Sequence, residues 1–280
     1  MGRRRWQGLC VLVVLLAAAG CSDGPGDASA EPASATTRAS SSPAGLSLVA
    51  IGDSIPYNSA DDCPGCTGFI DRYADAVAAA TGTPVQTTNL SEHTGQTLQG
   101  LVAELDRFED QLRSADVIVI GIAHNSIALN ANHCGATVDA TTNGLSDWSV
   151  VDQDCAERSA AASRPLFDEL LSKVVEWRSA KPTIFRALDK YNDWIGWPEA
   201  NFTPPQEKRT TLQHDVWNKM ICDVAEAHDV TCVDIYHAFN GPDGHRASGD
   251  LLAGDYTHPS DKGNALIAKV LVAEGFAPLA

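Results

Sequence analysis

The sequence is short of basic residues. It has 20 lysine and arginine residues against 36 aspartate and glutamate residues, and its formal net charge is −16 at pH 7. Removing the three arginines of the first twenty residues, which hold no acidic residue, takes the net charge from −16 to −19. Such a surface repels nucleic acid and anionic lipid headgroups, so neither is expected to bind directly to it.

Two signatures of common enzyme classes are missing. From Leu46 onward the chain has no Gly-x-Ser-x-Gly pentapeptide, which excludes the nucleophile elbow of α/β-hydrolases there. It also has no glycine-rich phosphate loop, because Gly52 is followed by no second glycine in register. No sequence feature requires a metal ion or another cofactor, and none is expected.

The N-terminus lacks an apolar run long enough to span a bilayer comfortably. The run Cys10–Leu16 is short, follows three arginines and precedes the small residues Ala17–Gly20, which together predict an export signal over residues 1–20. Cys21 directly after Gly20 resembles a bacterial lipobox, in which the cysteine is diacylated. We therefore expect an exported lipoprotein on the outer face of the bacterial membrane. An ordinary secretory peptide with an incidental cysteine is the alternative.

Two further segments follow the export signal. Residues 21–45 are rich in Ser, Ala, Thr, Pro and Gly without apolar periodicity, which predicts a flexible tether. Residues 46–280 have the length of one domain that buries a substantial core. A monomer is expected.

Apolar, β-prone runs alternate with helical patterns along this domain. The predicted strands are Leu46–Ile51, Val85–Asn89, Asp116–Ile122, Thr183–Leu188 and Val230–Ile235. The predicted helices are Phe69–Thr81, Thr97–Arg113, Ala160–Arg178, Glu207–His228 and Ser260–Glu274, the last one capped by its serine. Strands joined by helical crossovers indicate parallel βαβ units and one doubly wound sheet.

Candidate catalytic residues stand near the two ends of the domain. Gly52-Asp53-Ser54 ends the first strand, and Asp255-Tyr256-Thr257-His258 precedes the last helix. A serine hydroxyl needs a base to take its proton, and that base needs a carboxylate to orient it. Reactive groups of such sheets lie outside the carboxyl ends of the strands, where Ser54 falls. We predict Ser54 as nucleophile, His258 as general base and Asp255 as the orienting carboxylate.

The motifs resemble those of the GDSL or SGNH hydrolases. Gly52-Asp53-Ser54-Ile55 is similar to the first block of that family, and Asp255-Tyr256-Thr257-His258-Pro259 to its last. The resemblance implies a three-layer α/β/α sandwich of the flavodoxin-like type around a five-stranded, mainly parallel sheet. It also implies an esterase or lipase, with a lipid or an acylated carbohydrate as the ester substrate.

By the same resemblance, the two middle blocks complete an oxyanion hole. The backbone N–H of Ser54 is one donor, Gly95 matches the glycine of the second block, and Asn125 matches the asparagine of the third. The family pattern Gly-x-Asn-Asp is Ala123-His124-Asn125-Ser126 here, and these two departures leave the local loop geometry open. Asp53 is expected to bond nearby backbone and to have a structural role.

Six cysteines remain after Cys10 and Cys21. In an exported chain an even number indicates disulfides. Six cysteines allow fifteen connectivities, of which sequence proximity favours Cys63–Cys66, Cys134–Cys155 and Cys222–Cys232. A redox role for Cys63-Pro-Gly-Cys66 is an alternative, whereas a cysteine zinc site is disfavoured because no second close pair supplies the other ligands.

Other residues compete for a role at the site. Asp250 is a weaker candidate for the orienting carboxylate, and no other histidine is taken to share the Asp-x-x-His spacing ahead of a helix. Trp194 and Trp197 either line an acyl or sugar pocket or pack over the sheet edge. The polar stretch Asn130–Cys155 is expected to be a surface excursion.

Two other functions remain open at this stage. In the first, the acyl group passes to a sugar or lipid hydroxyl instead of water, and the protein is an acyltransferase. Alternatively, the chain is a surface binding module with a decayed site. An intact Ser54, His258 and Asp255 argues against the second alternative.

Overall fold

The computed structural model describes residues 45–130, 148–198 and 200–280. Residues 43–280 form one compact unit. The predicted export signal, the tether up to Ala44 and Cys21 lie outside the described residues and stay predictions. Within the described part of the chain, no helix has both the length and the apolar character needed to cross a membrane.

A five-stranded sheet forms the middle layer. Its strands, in chain order, are β1 Leu46–Gly52, β2 Val85–Asn89, β3 Val117–Gly121, β4 Ile184–Leu188 and β5 Thr231–Val233. Their order in the sheet is β2-β1-β3-β4-β5, and all four neighbouring pairs are parallel. This order is the flavodoxin-like doubly wound arrangement, so the predicted sheet is confirmed.

Helices cover both faces of the sheet. They are α1 Ser54–Tyr57, α2 Phe69–Thr81, α3 Leu98–Glu104, α4 Glu109–Ser114, α5 His124–Asn130, α6 Gln153–Arg178, α7 Pro204–Ala227, α8 Ile235–Asn240 and α9 Asp261–Ala273. One apolar layer contains residues of α3, α4, α6 and α7, and the other contains residues of α2, α8 and α9. The three-layer α/β/α sandwich is therefore confirmed.

The central strand β3 shows why the sequence builds three layers. All five of its residues are buried. Val117 and Val119 pack into one apolar layer, whereas Ile118 and Ile120 pack into the other, because successive side chains of a strand point to opposite faces. A continuous apolar run is what a parallel strand covered on both faces requires.

Several predicted element bounds differ from the structure, and three of the differences have clear local reasons. The predicted helix Thr97–Arg113 is interrupted by a 3₁₀ turn at Leu105–Phe108. In such a turn residues three apart share a face, so the leucine spacing does not distinguish it from an α-helix. Helix α6 begins seven residues earlier than predicted, since Asp152 caps it by accepting the Cys155 N–H at 2.9 Å. Strand β5 is shorter than predicted because Asp234 caps α8.

The expectation of a surface excursion up to Cys155 is wrong for its described part. Residues 131–147 lie outside the described residues, but Trp148 and Val151 are buried in a third apolar cluster. In that cluster the Trp194 ring lies 5.6 Å from the Trp148 ring and 5.4 Å from the Trp197 ring, measured between centroids. Of the two interpretations of Trp194 and Trp197, the structure favours packing over pocket lining.

Two of the three predicted disulfides are present. Cys63–Cys66 closes the loop between α1 and α2, and Cys222–Cys232 joins α7 to β5. Because their sulfurs are bonded to each other, these cysteines are not zinc ligands. Cys134 lies outside the described residues, so the pairing Cys134–Cys155 stays a prediction.

Charged groups are buried beyond the end of β4. The Lys190 Nζ donates to Asp193 Oδ1 at 2.7 Å, and both side chains are almost fully buried. His214 is completely buried beside them and its Nδ1 lies 2.8 Å from the Thr210 carbonyl oxygen. Burial and the charge of Lys190 lower the pKa of His214 to about 3, although the hydrogen bond to Thr210 acts in the opposite direction.

This buried histidine predicts an acid-sensitive stability. Between pH 6.5 and 3 the unfolded chain binds a proton at His214 that the folded chain does not, so stability falls as the pH drops through that window. At pH 5 this histidine should cost wild type about 2 kcal/mol relative to pH 7. The free energy of unfolding, measured with urea, should fall less between pH 7 and pH 5 for His214→Gln than for wild type. The exposed control His245→Gln should show the same fall as wild type. Parallel curves for wild type and His214→Gln would contradict this assignment.

Candidate active site

The carboxyl end of β1 approaches β3 very closely. Gly52 has φ +154°, and a Cβ atom there would collide with the carbonyl oxygen of Gly121 and would lie 2.8 Å from the Pro56 ring. Only glycine fits this close approach. The chain can therefore turn at once from β1 into α1, which begins at Ser54.

The Asp53 carboxylate joins this turn to the start of α5. Its Oδ1 accepts the Ile55 N–H at 3.0 Å and thereby caps α1. Its Oδ2 accepts the N–H groups of Ala123 and His124 at 3.1 and 3.0 Å. Asp53 is 1% exposed. The expected structural role of Asp53 is confirmed.

The segment after β2 is bonded to the same turn. The Glu92 N–H donates to the Gly52 carbonyl at 3.0 Å, and Asn89 Nδ2 donates to the Pro56 carbonyl at 2.6 Å. Gly95 follows in this segment and is exposed. Its φ is +68°, and no heavy atom lies within 4 Å of the position that a Cβ atom would take. Its backbone conformation favours glycine, and nothing covers it on the side where a Cβ would stand.

The two departures from the third family block are accommodated locally. Ala123 donates its backbone N–H to Asp53, its carbonyl accepts the Ile127 N–H at 2.8 Å, and its methyl group is buried in the apolar core. The Ser126 hydroxyl accepts the Leu98 N–H at 2.7 Å and so holds the start of α3. Asn125 Nδ2 donates to the Gln96 carbonyl at 2.9 Å, which leaves its second hydrogen for another acceptor. The segments that contain Gly95 and Asn125 are thus bonded to each other.

The last block forms a tight turn around the Asp255 carboxylate. Its Oδ2 lies 2.5 Å from His258 Nδ1, and its Oδ1 accepts the N–H groups of Thr257 and His258 at 3.0 Å. Burial alone would raise the pKa of Asp255, but these hydrogen bonds outweigh burial and lower it. Tyr256, between the two, has φ +59°, which is unusual for a bulky residue. The predicted pair Asp255–His258 is therefore formed and fixed by backbone contacts.

A second pair of polar residues, Asp62 and His93, lies at the site without any motif in the sequence. Asp62 Oδ2 lies 3.1 Å from His93 Nε2 and 3.5 Å from His258 Nε2. The His93 ring stacks on Tyr57, with centroids 5.3 Å apart and planes at 19°. Tyr57 belongs to the same short helix as Ser54, so this chain of contacts links the last block to the nucleophile helix. No regular spacing connects Asp62 and His93 to His258, which is why the sequence gives no signal for Asp62 and His93.

The rival residues lie elsewhere. Asp250 pairs with Lys262 at 2.5 Å and is exposed. A second Asp-x-x-His does exist, at Asp234 and His237, with Nδ1 2.8 Å from Asp234 Oδ2, but its histidine lies inside α8 and not ahead of a helix. This second pair follows β5, which is three strand positions or about 14 Å from β1 across the sheet. It cannot serve Ser54.

Removal of the Asp53 carboxylate should unfold the site. Asp53→Ala would leave three buried or half-buried N–H groups without their acceptor, at about 1–3 kcal/mol for each group that water does not reach. Urea denaturation should show a loss of at least about 2 kcal/mol. The matched control Asp250→Ala removes an exposed carboxylate and should leave the stability close to that of wild type. Equal effects of the two substitutions would contradict the proposed joining role of Asp53.

Comparison with known proteins places the chain in a family. The model of the GDSL-like lipase/acylhydrolase family matches residues 50–266, which include all four blocks. A comparison with curated proteins finds no match.

Solved structures share the fold at low identity. The lipase Lip_vut3 from a goat rumen metagenome is 20% identical with a TM-score of 0.63, over 84% of this chain and 100% of that one. Axe2, an acetylxylan esterase from Geobacillus stearothermophilus, is 20% identical with a TM-score of 0.53, over 83% and 95%. LAE5, an α/β hydrolase from the metagenome of Lake Arreo, is 20% identical with a TM-score of 0.52, over 82% and 94%.

At 20% identity the similarity to these solved structures shows the fold alone. The match to the family model includes the residues of the four motifs. The family match extends from the end of β1 into the last helix and therefore spans both Ser54 and His258. The chain belongs to the GDSL-like lipase/acylhydrolase family and is a carboxylic ester hydrolase of that family.

Proposed function

We propose that the protein hydrolyses carboxylic esters through an acyl-enzyme on Ser54, with His258 as general base and Asp255 as its orienting carboxylate. The observation that supports this most strongly is the Asp255–His258 pair. Asp255 holds Nδ1 at 2.5 Å, and among the described residues Nε2 has no hydrogen-bond partner. The unpartnered Nε2 is the atom that a serine proton needs.

The proposed reaction has two half-steps. The Ser54 Oγ attacks the ester carbonyl while its proton passes to His258 Nε2, and that proton is then given to the leaving alkoxide. Water repeats the sequence on the acyl-enzyme and releases the acid. The imidazolium formed in each step faces carboxylates on both sides, since Asp255 contacts Nδ1 and Asp62 lies 3.5 Å from Nε2.

The proposed oxyanion hole has three donors. They are the N–H of Ser54, the N–H of Gly95 and the amide of Asn125. Support comes from the contacts that bring their segments together: Glu92 bonds the Gly52 carbonyl, and Asn125 bonds the Gln96 carbonyl next to Gly95. Donors that are fixed before the reaction stabilise the developing negative charge without reorganisation.

We also propose a short acyl group and a carbohydrate-like alcohol. Among the described residues, two aromatic side chains are exposed, Tyr57 and Tyr256, and both stand within three residues of a proposed catalytic residue. The neighbouring side chains, Asp62 and His93, are polar rather than aliphatic. Exposed tyrosine rings beside hydrogen-bonding groups suit a sugar better than a long acyl chain. The similar fold of an acetylxylan esterase agrees with this choice.

Export and attachment complete the proposal. The segment around Cys21 supports a lipoprotein held on the outer face of the bacterial membrane by residues 21–45, acting as a monomer on nearby ester substrates. Its support is the order of arginines, apolar run, small residues and cysteine in the sequence.

Substitution of the proposed nucleophile or base should abolish turnover. Ser54→Ala and His258→Ala should each lower kcat for p-nitrophenyl acetate by about 10³-fold or more. The first variant has no hydroxyl to acylate, and the second has no base to accept the serine proton. His237→Ala is the matched control, since it removes the histidine of the other Asp-x-x-His pair, and it should stay within about twofold of wild type. Turnover retained in either of the first two variants rules out this mechanism.

Chain length tests the proposed substrate. In a series of p-nitrophenyl esters from acetate to palmitate, kcat/KM should be highest for acetate or butyrate and at least about tenfold lower for palmitate. A tenfold difference corresponds to about 1.4 kcal/mol of transition-state binding. Tyr57→Ala should lower kcat/KM on an acetylated xylo-oligosaccharide more than on p-nitrophenyl acetate, because only the first substrate offers a sugar ring. A maximum at palmitate would indicate a lipase instead.

A further inference from the structure

We propose that Asp62 is a further catalytic residue, which holds the water that attacks the acyl-enzyme and so favours hydrolysis over transfer of the acyl group to an alcohol. The proposal rests on the proposed function, because it requires an acyl-enzyme on Ser54 and His258 as the base. It adds the identity of the acyl acceptor, which is water and not the sugar or lipid hydroxyl that an acyltransferase uses.

Two hydrogen-bond acceptors face each other beside the base. Asp62 Oδ2 lies 3.5 Å from His258 Nε2, and the Asp255 carboxylate contacts Nδ1 of the same ring. Because Asp255 accepts the proton of Nδ1, the neutral imidazole presents only a lone pair at Nε2. An ionised carboxylate also only accepts hydrogen bonds. Among the described residues this Nε2 is buried and has no hydrogen-bond partner, so the two facing acceptors need a donor between them.

Water satisfies both acceptors, whereas an alcohol satisfies only one. A water molecule has two O–H groups, and it can donate one to His258 Nε2 and the other to Asp62 Oδ2. One oxygen can reach both atoms across their 3.5 Å separation, since a hydrogen bond from O–H is about 2.7–2.8 Å long. An alcohol has a single hydroxyl proton, which the base takes. Its carbon then stands where water would donate to the carboxylate, and that loss disfavours the alcohol.

The position beside Nε2 is the one that the attacking oxygen occupies in the proposed reaction. The water oxygen forms a bond to the acyl carbon, one of its protons passes to His258 Nε2, and the other stays on the oxygen and points to Asp62. The bond between the acyl carbon and Ser54 Oγ then breaks, and His258 returns its proton to Oγ. The carboxylic acid leaves with the second proton of the water.

The Asp62 carboxylate is held where it faces the imidazole. Its two oxygens lie 3.1 and 3.3 Å from His93 Nε2, and the His93 ring stacks on Tyr57. The Asp62 N–H donates to the Ser59 carbonyl at 3.2 Å, and the disulfide Cys63–Cys66 closes the loop directly after it. The Asp62 side chain is 16% exposed. An acceptor that is fixed in this way orients a water without reorganisation during the reaction.

The partition of the acyl group measures this role. Wild type and variants are given p-nitrophenyl acetate in the presence of glycerol, and the ratio of acetylglycerol to acetate is determined by chromatography. Asp62→Asn keeps the size of the side chain and Asp62→Ala removes both acceptors, and each should raise this ratio by about tenfold or more over wild type. Asp61→Ala is the matched control, because it removes an exposed carboxylate from the same loop, and it should keep the wild-type ratio.

Rapid-mixing kinetics separate the two half-steps. The burst of p-nitrophenolate reports acylation of Ser54 and should stay within about threefold of wild type in both Asp62 variants, which also shows that they are folded. The steady rate that follows reports deacylation by water and should fall by about tenfold or more. Equal product ratios in wild type and both Asp62 variants would overturn the proposed role of Asp62 while the acyl-enzyme mechanism stands. Turnover retained in Ser54→Ala would overturn that mechanism and this proposal with it.

Discussion

The Asp53 carboxylate bonds three backbone N–H groups from two different strand ends, and the active-site geometry depends on this contact. One oxygen caps the helix that begins at Ser54, and the other holds Ala123 and His124 at the end of β3. The two strands can come this close only because Gly52 has no side chain. The serine and the asparagine that follows His124 are therefore positioned by one buried charge. A buried carboxylate that accepts hydrogen bonds on both oxygens stabilises one geometry and penalises others.

The last block reaches this arrangement from the other end of the chain. The turn around Asp255 presents the His258 imidazole, and Tyr191 at the end of β4 donates to the Thr257 carbonyl at 2.7 Å, which ties this turn to the sheet. Asp62 and His93 then connect the imidazole to the nucleophile helix. The carboxyl edge of a parallel sheet brings such distant segments together, and it explains how residues about 200 positions apart form one site.

The sequence predicts most of the sheet because buried parallel strands have continuous apolar runs. It predicts Ser54 because Gly-Asp-Ser ends the first strand, and Asp255 and His258 because they have the Asp-x-x-His spacing. It does not predict Asp62 or His93, since both lie in loops whose path depends on tertiary contacts. The Asp-x-x-His spacing alone does not separate Asp255–His258 from Asp234–His237, because both pairs have it. The structure separates them: His237 lies inside α8, whereas His258 precedes α9, and the strand order places Asp234–His237 away from β1. The break at Leu105–Phe108 escapes prediction for a similar reason, since 3₁₀ and α-helical turns share the same leucine stripe.

The central claim is that Ser54 becomes acylated with the help of His258. Its most direct test is covalent labelling with a fluorophosphonate, followed by mass spectrometry of the intact protein and of its peptides. We expect one adduct per chain, located on the peptide that contains Ser54, and much slower labelling of His258→Ala. An adduct on another residue, or no adduct on the folded protein, would contradict it.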